Sequence, residues 1–495
     1  MNKFVSCFLL LLTALPLWAQ KSTQPNIIYI FVDDLGYAEL GSYGQTKIRT
    51  PHLDQLAREG MRFTQHYAST PVCAPSRCQL LTGKHSGHSY IRGNYELGGA
   101  ADSLEAGQMP LHANAFTLGH LMQQAGYRTA CIGKWGLGMH NTTGNPNRQG
   151  FGYFYGYLDQ KQAHNHYPTH LWENDRWDTL RNPVFDVHRP FPKNIPEDEA
   201  FAYYRQGQDY ALDKMAEKAQ RFIAESKPKG TQPFFLYLTF TAPHVSLQAP
   251  PAAIQEYLGQ FPEQPYYGEK SYAATRYPRA TYAAMITYMD KKIGELLAQL
   301  KAQGIDENTL VIFSSDNGTT SMGGTDYAYF ESVGPLRGLK MDVYEGGIRM
   351  PMLARWPGKI PSGRVTDHIS AQYDVMATFC ELLGVRPPET DGISFLPTLL
   401  GKASRQQPHE YLYFEYPERG GQVAVRMGNW KGVKRDLRTN RQVPWEIYDL
   451  SQDISESRNL AAQHPELAAR FEAIVQREHQ PTHIREWEFI NPKFK

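Results

Sequence analysis

The sequence predicts an α/β fold: a large, mostly parallel sheet flanked by helices, followed by a smaller carboxy-terminal α+β unit with an antiparallel sheet. Three observations carry this. Apolar runs rich in β-branched and aromatic residues stand at 25–32, 234–240, 309–315 and 349–356, without a polar face of their own, as strands buried on both sides read. Segments with helical spacing lie between them at 50–60, 117–126, 209–224, 281–303 and 374–383, several opened by Thr or Pro and closed by Gly. Beyond about residue 400 the rhythm changes to short strand candidates at 411–416, 423–427, 430–434 and 445–450, then a helix at 465–478.

Taken in order, the chain opens Met1-Asn2-Lys3 and stays apolar from 4 to 18, ending Leu17-Trp18-Ala19-Gln20. A basic start, an apolar run too short to cross a bilayer and a small residue near its end read as a signal peptide over 1–20. The protein is therefore expected to be exported, periplasmic or secreted. Cys7 lies inside the apolar run rather than after it, which excludes a lipoprotein anchor, and no later segment has the length of a membrane span. Domain limits of 21–400 and 401–495 are expected for the two units. With 51 Lys and Arg against 50 Asp and Glu, the chain offers no charge block for nucleic acid. The remaining cysteines, Cys73, Cys78, Cys131 and Cys380, are too few for a disulfide framework.

The run at 25–32 stops abruptly at Asp33-Asp34. Adjacent carboxylates at the end of a buried strand are costly unless a cation neutralises them. In an open α/β sheet that edge is also where ligands bind. The run at 309–315 ends the same way, in Asp316-Asn317. Asp33, Asp34, Asp316 and Asn317 together offer oxygen donors with no thiolate or imidazole, a set that suits a hard cation; an exported protein meets abundant calcium, so Ca²⁺ is expected over Mg²⁺. The strand at 127–135 carries Lys134, and the one at 234–240 leads to His244, whose imidazole titrates in the range a general acid needs. From 141 to 196 the chain reads as irregular and rich in aromatics, His, Asn and Pro; a loop of that length is usually functional.

The organising stretch is 71–93, centred on Cys73-Ala74-Pro75-Ser76-Arg77. Pro75 has no amide donor to lose and suits the first turn of a helix. Cys73 then sits at the helix N-terminus, where free N–H groups favour an anion such as a sulfate ester, and Arg77 can reach back from one turn further on.

Continued into Leu80-Leu81-Thr82-Gly83-Lys84, this string resembles the signature of the type I sulfatases. Gly133-Lys134-Trp135-Gly136-Leu137-Gly138 and the segment from Arg337-Gly338-Leu339-Lys340 to Pro351 resemble two further motifs of that family, and His244 matches its proton-donating histidine. The pattern is nearest to that of bacterial carbohydrate sulfatases. The resemblance implies an alkaline-phosphatase-like fold and hydrolysis of sulfate esters. It implies that Cys73 is oxidised to Cα-formylglycine by a formylglycine-generating or anaerobic sulfatase-maturating enzyme, and that the hydrated aldehyde attacks sulfur. It assigns Lys134, Lys340 and Arg77 to the sulfate charge, Asp33, Asp34, Asp316 and Asn317 to the metal, and His244 to the leaving oxygen.

Position 136 departs from the family, which often carries a histidine there. His164, within the histidine-dense segment 157–168, is the expected replacement, with His166 and Arg337 as further substrate contacts. A metal held by His164, His166 and His170 is the weaker reading, because no carboxylate or cysteine accompanies them at a recognisable spacing. The expected substrate is a sulfated glycan with O-sulfated galactose or N-acetylgalactosamine at a chain end. A phosphoesterase of the same superfamily and a non-catalytic glycan-binding relative are the alternatives; the intact Cys73 motif argues against both.

Overall fold

The computed structural model describes residues 24–98, 105–204, 207–226 and 232–491. The segment read as a signal peptide lies outside them. Among the described residues no helix is long and apolar enough to cross a membrane.

The strand β1 (Asn26–Val32) shows why the central runs are apolar throughout. Ile28, Ile30 and Val32 enter one core, while Ile27, Tyr29 and Phe31 enter another on the opposite face of the sheet. A period of two therefore places every residue from Ile27 to Val32 in a core. The other strands of this sheet are β2 (Met61–Tyr67), β3 (Arg128–Lys134), β4 (Tyr153–Tyr157), β5 (His170–Glu173), β6 (Arg176–Thr179), β7 (Phe234–Thr239), β8 (Thr309–Ser315), β9 (Arg349–Arg355), β10 (Arg364–Thr366) and β11 (Ser370–Ala371). The 11-stranded sheet has the order β10-β2-β9-β8-β1-β7-β3-β4-β5-β6, with β11 beside β2. From β8 to β4 all neighbours are parallel. Antiparallel pairing enters at β9, which lies between β2 and β8, and at β5 and β6.

Helices cover both faces, as parallel strands require. Leu53 and Leu56 of Pro51–Glu59, Met215 of Ala211–Ser226 and Met289 of Pro278–Ala302 pack on one side. On the other side lie Leu80 of Cys73–Thr82, Leu121 of Leu118–Gln124 and Phe379 of Asp374–Leu383.

The carboxy-terminal sheet is antiparallel, in the order β12 (Leu412–Tyr416), β13 (Gln422–Met427), β14 (Trp430–Lys434) and β15 (Glu446–Asp449). Helix Pro465–Glu478 closes one face through Leu467, Phe471 and Val475. The other face, with Leu412, Phe414 and Val433, packs on Val72, Cys73 and Tyr344. This small unit thus buries the segment that carries the organising cysteine.

Two expectations need correction. Residues 141–196 are not a long loop: β4, β5 and β6 lie there and extend the sheet. Their brevity and aromatic, polar composition hide the period of two. The strand β2 was also not anticipated; its polar Arg62, Thr64 and Gln65 interrupt the apolar run.

Candidate active site

The adjacent strands β8, β1, β7 and β3 end at one edge of the sheet, and each delivers one part of the site. Asp316-Asn317 follow β8, Asp33-Asp34 follow β1, His244 lies just beyond β7, and Lys134 is the last residue of β3. Helix Cys73–Thr82 points its N-terminus at the same edge. Lys340 arrives on the segment between β8 and β9, fixed by its N–H donating to Thr319 O (2.8 Å) and by Met341 N–H donating to Pro71 O (2.8 Å).

The side chains interlock. Lys134 Nζ donates to Asp33 Oδ2 at 2.7 Å, and Lys340 Nζ to Asp34 Oδ2 at 2.9 Å. Arg77 donates to Asp316 Oδ2 at 2.8 Å and to Lys134 O at 3.0 Å, with Asp33 Oδ2 3.5 Å away. Asn317 Nδ2 donates to Asp34 Oδ1 at 2.7 Å. His244 Nδ1 bonds the carbonyl of Val245, which leaves Nε2 facing the site, 3.6 Å from Asp34 Oδ2. A cleft of ≈ 320 Å³ opens above, lined by Asp34, Cys73, His164, His244 and Lys340 together with Asn94 and Gln160.

Charge explains why these groups need one another. Burial alone would raise Asp33, but Lys134, His244, Arg77 and Lys340 hold it well below the usual carboxylate range. Asp34 is raised by burial and by the Asp33 charge, against the pull of Lys340. Asp316 is pushed up to about 7 by burial and by Asp33 in spite of Arg77. His244 falls well below the ordinary imidazole value through burial and the nearby Lys340 ammonium, and burial raises the Cys73 thiol. Arg77 and Lys340 stay charged, because Asp316 and Asp34 outweigh their desolvation.

The oxygen donors fit a hard cation. Asp33, Asp34 and Asp316 can each offer an atom within 4.8 Å of the others. Among the described residues, the buried Oδ1 atoms of Asp33 and Asn317 have no hydrogen-bond partner. Unpartnered buried carboxylate and amide oxygens converging with two further carboxyl groups make a donor set that a hard cation satisfies.

The structure brings Cys73, Arg77, Lys134, His244, Lys340, Asp33, Asp34, Asp316 and Asn317 together. His164 joins them: its ring stacks on that of His244 with centroids 5.0 Å apart, and its Nδ1 lies 3.0 Å from His188 Nε2. His166 does not face the cleft. It is fully buried, with Nε2 2.8 Å from the His244 carbonyl, and so braces His244 rather than touching a substrate. Arg337 is turned away as well. Its Nη1 donates to Tyr448 OH (3.0 Å) and Glu456 O (2.8 Å), and its guanidinium lies 3.9 Å from the Tyr344 ring centroid. Gly338, at φ +84°, turns the chain between Arg337 and Lys340, which sends the two side chains apart. Among the described residues, His164, His166 and His170 do not form a metal cluster.

Residues 25–385 match the family described as Sulfatase, and residues 339–480 match the unit described as N-sulphoglucosamine sulphohydrolase, C-terminal. This chain belongs to the sulfatase family. It is 30% identical to an N-acetylgalactosamine-6-O-sulfatase of Bacteroides thetaiotaomicron, over 92% of this chain and 93% of the relative. It is likewise 30% identical to a steryl-sulfatase of Rattus norvegicus, over 80% of this chain and 73% of the relative. Among solved structures, Ps i-CgsB in complex with k-i-k-neocarrahexaose superposes with a TM-score of 0.73 at 27% identity, covering 92% of this chain and 94% of that one. The expected alkaline-phosphatase-like fold and sulfuric ester hydrolase activity are thereby borne out.

Two residues of the sulfatase cleft escaped the sequence reading. Asn94 lies one residue past the organising stretch and donates from Nδ2 towards Cys73 Sγ at 3.8 Å. Gln160 reaches Asn94 Oδ1 at 3.1 Å. The available signal for Gln160 is the polar run that follows β4 (Tyr153–Tyr157), in which His164 is the more conspicuous residue.

Proposed function

We propose that this sulfatase removes O-sulfate from a sulfated glycan, acting at a chain end on galactose or N-acetylgalactosamine, with one Ca²⁺ ion and a formylglycine made from Cys73 by a maturating enzyme. The observation that carries the substrate class is the lining of the cleft. Around Cys73 it presents Asn94, Glu96, Gln108, Lys161, Asp342 and Arg419. Hydroxyl-rich sugars satisfy such groups by hydrogen bonding, whereas an apolar sterol would leave them buried and unpaired. The volume of ≈ 320 Å³ supports a terminal sugar, since it stands near the lower end of the roughly 300–1,000 Å³ typical of ligand sites. The relative from Bacteroides thetaiotaomicron, named for N-acetylgalactosamine, supports the same choice. The apolar amino-terminal run supports export of the protein to the periplasm or beyond.

Bound at Asp33, Asp34, Asp316 and Asn317, the cation would supply Lewis-acid charge to the sulfate, and formylglycine would supply a hydroxyl nucleophile. The Sγ atom of Cys73 marks where that hydroxyl oxygen would lie. Lys340, which lines the cleft, and Lys134, bonded to Asp33 behind it, bring fixed positive charge towards the sulfate. Arg77, expected to share that task, holds Asp33 and Asp316 from below the cleft lining instead. His244 donates from Nε2 to the departing sugar oxygen. Its imidazole is neutral in the free site; an arriving sulfate offsets the two ammonium charges and favours the protonated ring that a general acid requires.

Sulfate release from a panel of sulfated monosaccharides and oligosaccharides, with a steroid sulfate for comparison, tests this reading. Turnover of a 6-O-sulfated or 4-O-sulfated hexosamine or galactose at a non-reducing end supports it. Turnover confined to the steroid sulfate overturns it. His164→Ala should lower kcat/KM on the glycan more than on a small aryl sulfate, if the ring contacts sugar; equal losses would place it at the sulfate.

A further inference from the structure

Gly136 follows Lys134 and Trp135 at the end of β3, and Gln160 occupies the space that a side chain there would need. A Cβ at Gly136 would come within 2.9 Å of Gln160 Cγ, on a backbone held at φ +73°. Gln160 is buried, at 6% exposure, and lines the cleft. Its Nε2 donates to Asn94 Oδ1 at 3.1 Å. The same oxygen accepts from Ala74 N–H, in the first turn of helix Cys73–Thr82, at 3.2 Å. Two donors on one oxygen fix which way the Asn94 amide points. Its Nδ2 must face the other way, towards Cys73 Sγ at 3.8 Å. The loop itself is held by Asn94 N–H donating to Glu418 Oε1 at 2.9 Å, and by Arg92, which bonds Glu415 Oε1 at 2.5 Å. Both acceptors come from the carboxy-terminal unit. Among the described residues Gln160 Oε1 has no partner, which leaves a buried acceptor beside the nucleophile.

We propose that Asn94 is a catalytic residue that hydrogen-bonds the nucleophilic oxygen at position 73, and that Gln160, packed against Gly136, is the residue that positions it. The inference rests on the formylglycine reading given above. A carboxamide donates and accepts hydrogen bonds but neither takes up nor gives a proton near neutral pH. The pair therefore orients the oxygen without acting as a base, and a titrating limb that an imidazole at this place would contribute is absent. His164 stacks on His244 instead, with ring centroids 5.0 Å apart, and its Nδ1 bonds His188 rather than this pair of carboxamides.

The test measures kcat and KM for 4-nitrophenyl sulfate and for the preferred sulfated sugar across pH, with kcat referred to the formylglycine content of each preparation by mass. Asn94→Ala should lower kcat about 30-fold and Gln160→Ala about tenfold, with KM changed by no more than about threefold. Gln160→Glu supplies a readout that a structural role would not move. Protonated, the carboxyl group donates to Asn94 Oδ1 as glutamine does; ionised, it repels that oxygen. Its kcat should therefore fall as pH rises through the carboxyl titration, a limb missing from the wild type. An Asn94→Ala enzyme within about threefold of wild-type kcat, a loss confined to KM, or a Gln160→Glu profile matching the wild type would each overturn the proposal. A wild type whose active form lacks formylglycine would instead overturn the reading beneath it, and the inference with it.

Discussion

Arg77 donates from Nη2 to Asp316 Oδ2 across 2.8 Å, although 239 positions separate the two residues in the chain. Both are buried, and the pair joins the nucleophile helix to the carboxyl end of β8. Removing the guanidinium would leave Asp33 and Asp316 facing each other with less compensation, and a buried pair broken on one side costs about 3–5 kcal/mol. Arg77→Ala is accordingly expected to lower the denaturation midpoint and to abolish turnover. Arg77→Lys should recover only part of either, because one ammonium cannot reach both Asp316 Oδ2 and Lys134 O in the fixed geometry of a guanidinium. Full recovery by lysine in urea titration and in sulfate release would refute this account of the pair.

Removal of the cation should be equally visible. Asp34 and Asp316 are held above the normal carboxylate range by burial and by Asp33, so a bound cation relieves the folded state as well as serving the chemistry. Chelation followed by dialysis is expected to abolish activity and lower Tm. Ca²⁺ should restore both better than Zn²⁺, since the donors are all oxygen. Asp316→Ala should lose most activity and most of the calcium-dependent rise in Tm. Undiminished activity after exhaustive chelation would rule the cation out.

The stability of the carboxy-terminal unit is expected to depend on pH through His479, which ties its helix end to Glu415 and Glu488 of the same unit. Burial lowers its pKa, but Glu415 at 2.9 Å and Glu488 at 3.0 Å outweigh this and raise it to about 9. A group raised in the folded state stabilises fully below its unfolded value, about 6.5, and loses that contribution as pH climbs towards about 9. Glu488 has the opposite sign. Burial raises it, yet His479 and the backbone donors Asn491 and Thr482 depress it to about 2, so its contribution is present above about 4.5 and fades as pH falls. Proteolysis of this unit should be slowest between about pH 4.5 and 6.5. In His479→Gln the alkaline part of that dependence should disappear; an unchanged profile would clear the histidine of the role.

How much of this was legible in the sequence follows from how each residue is held. Asp33, Asp34, Lys134, His244 and Asp316 all lie at or just beyond the end of an apolar run, so local order alone marks the working edge of the sheet. Trp430–Lys434 falls where the turn residues around it placed it. The strands β5 and β6 are short and partly polar, and pairing of β5 with β4 and of β6 with β5, rather than propensity, makes them strands. Asn94 and Gln160 are 66 positions apart, and nothing in either local string announces a contact that only the fold creates. Arg337 shares a motif with Lys340, but its guanidinium bonds Tyr448 OH and Glu456 O, contacts with the carboxy-terminal unit that no local string announces.

Gly136 cannot simply be replaced by histidine. Gly136→His would force a branched backbone position into φ +73° and drive its Cβ to within 2.9 Å of Gln160 Cγ. The left-handed conformation alone costs roughly 1–2 kcal/mol, and displacement of Gln160 frees Asn94. The variant is expected to melt earlier than wild type and to show a lower kcat with no new titrating limb. A histidine variant that turns over faster than wild type would contradict the fit described for Gln160.

The mass of residue 73 in the active enzyme tests the central claim most directly. In protein made alongside a maturating enzyme, the tryptic peptide carrying this position should be about 18 Da lighter than its cysteine form, and specific activity should rise in proportion to that lighter fraction. Full activity in protein whose residue 73 is entirely unmodified cysteine would contradict it.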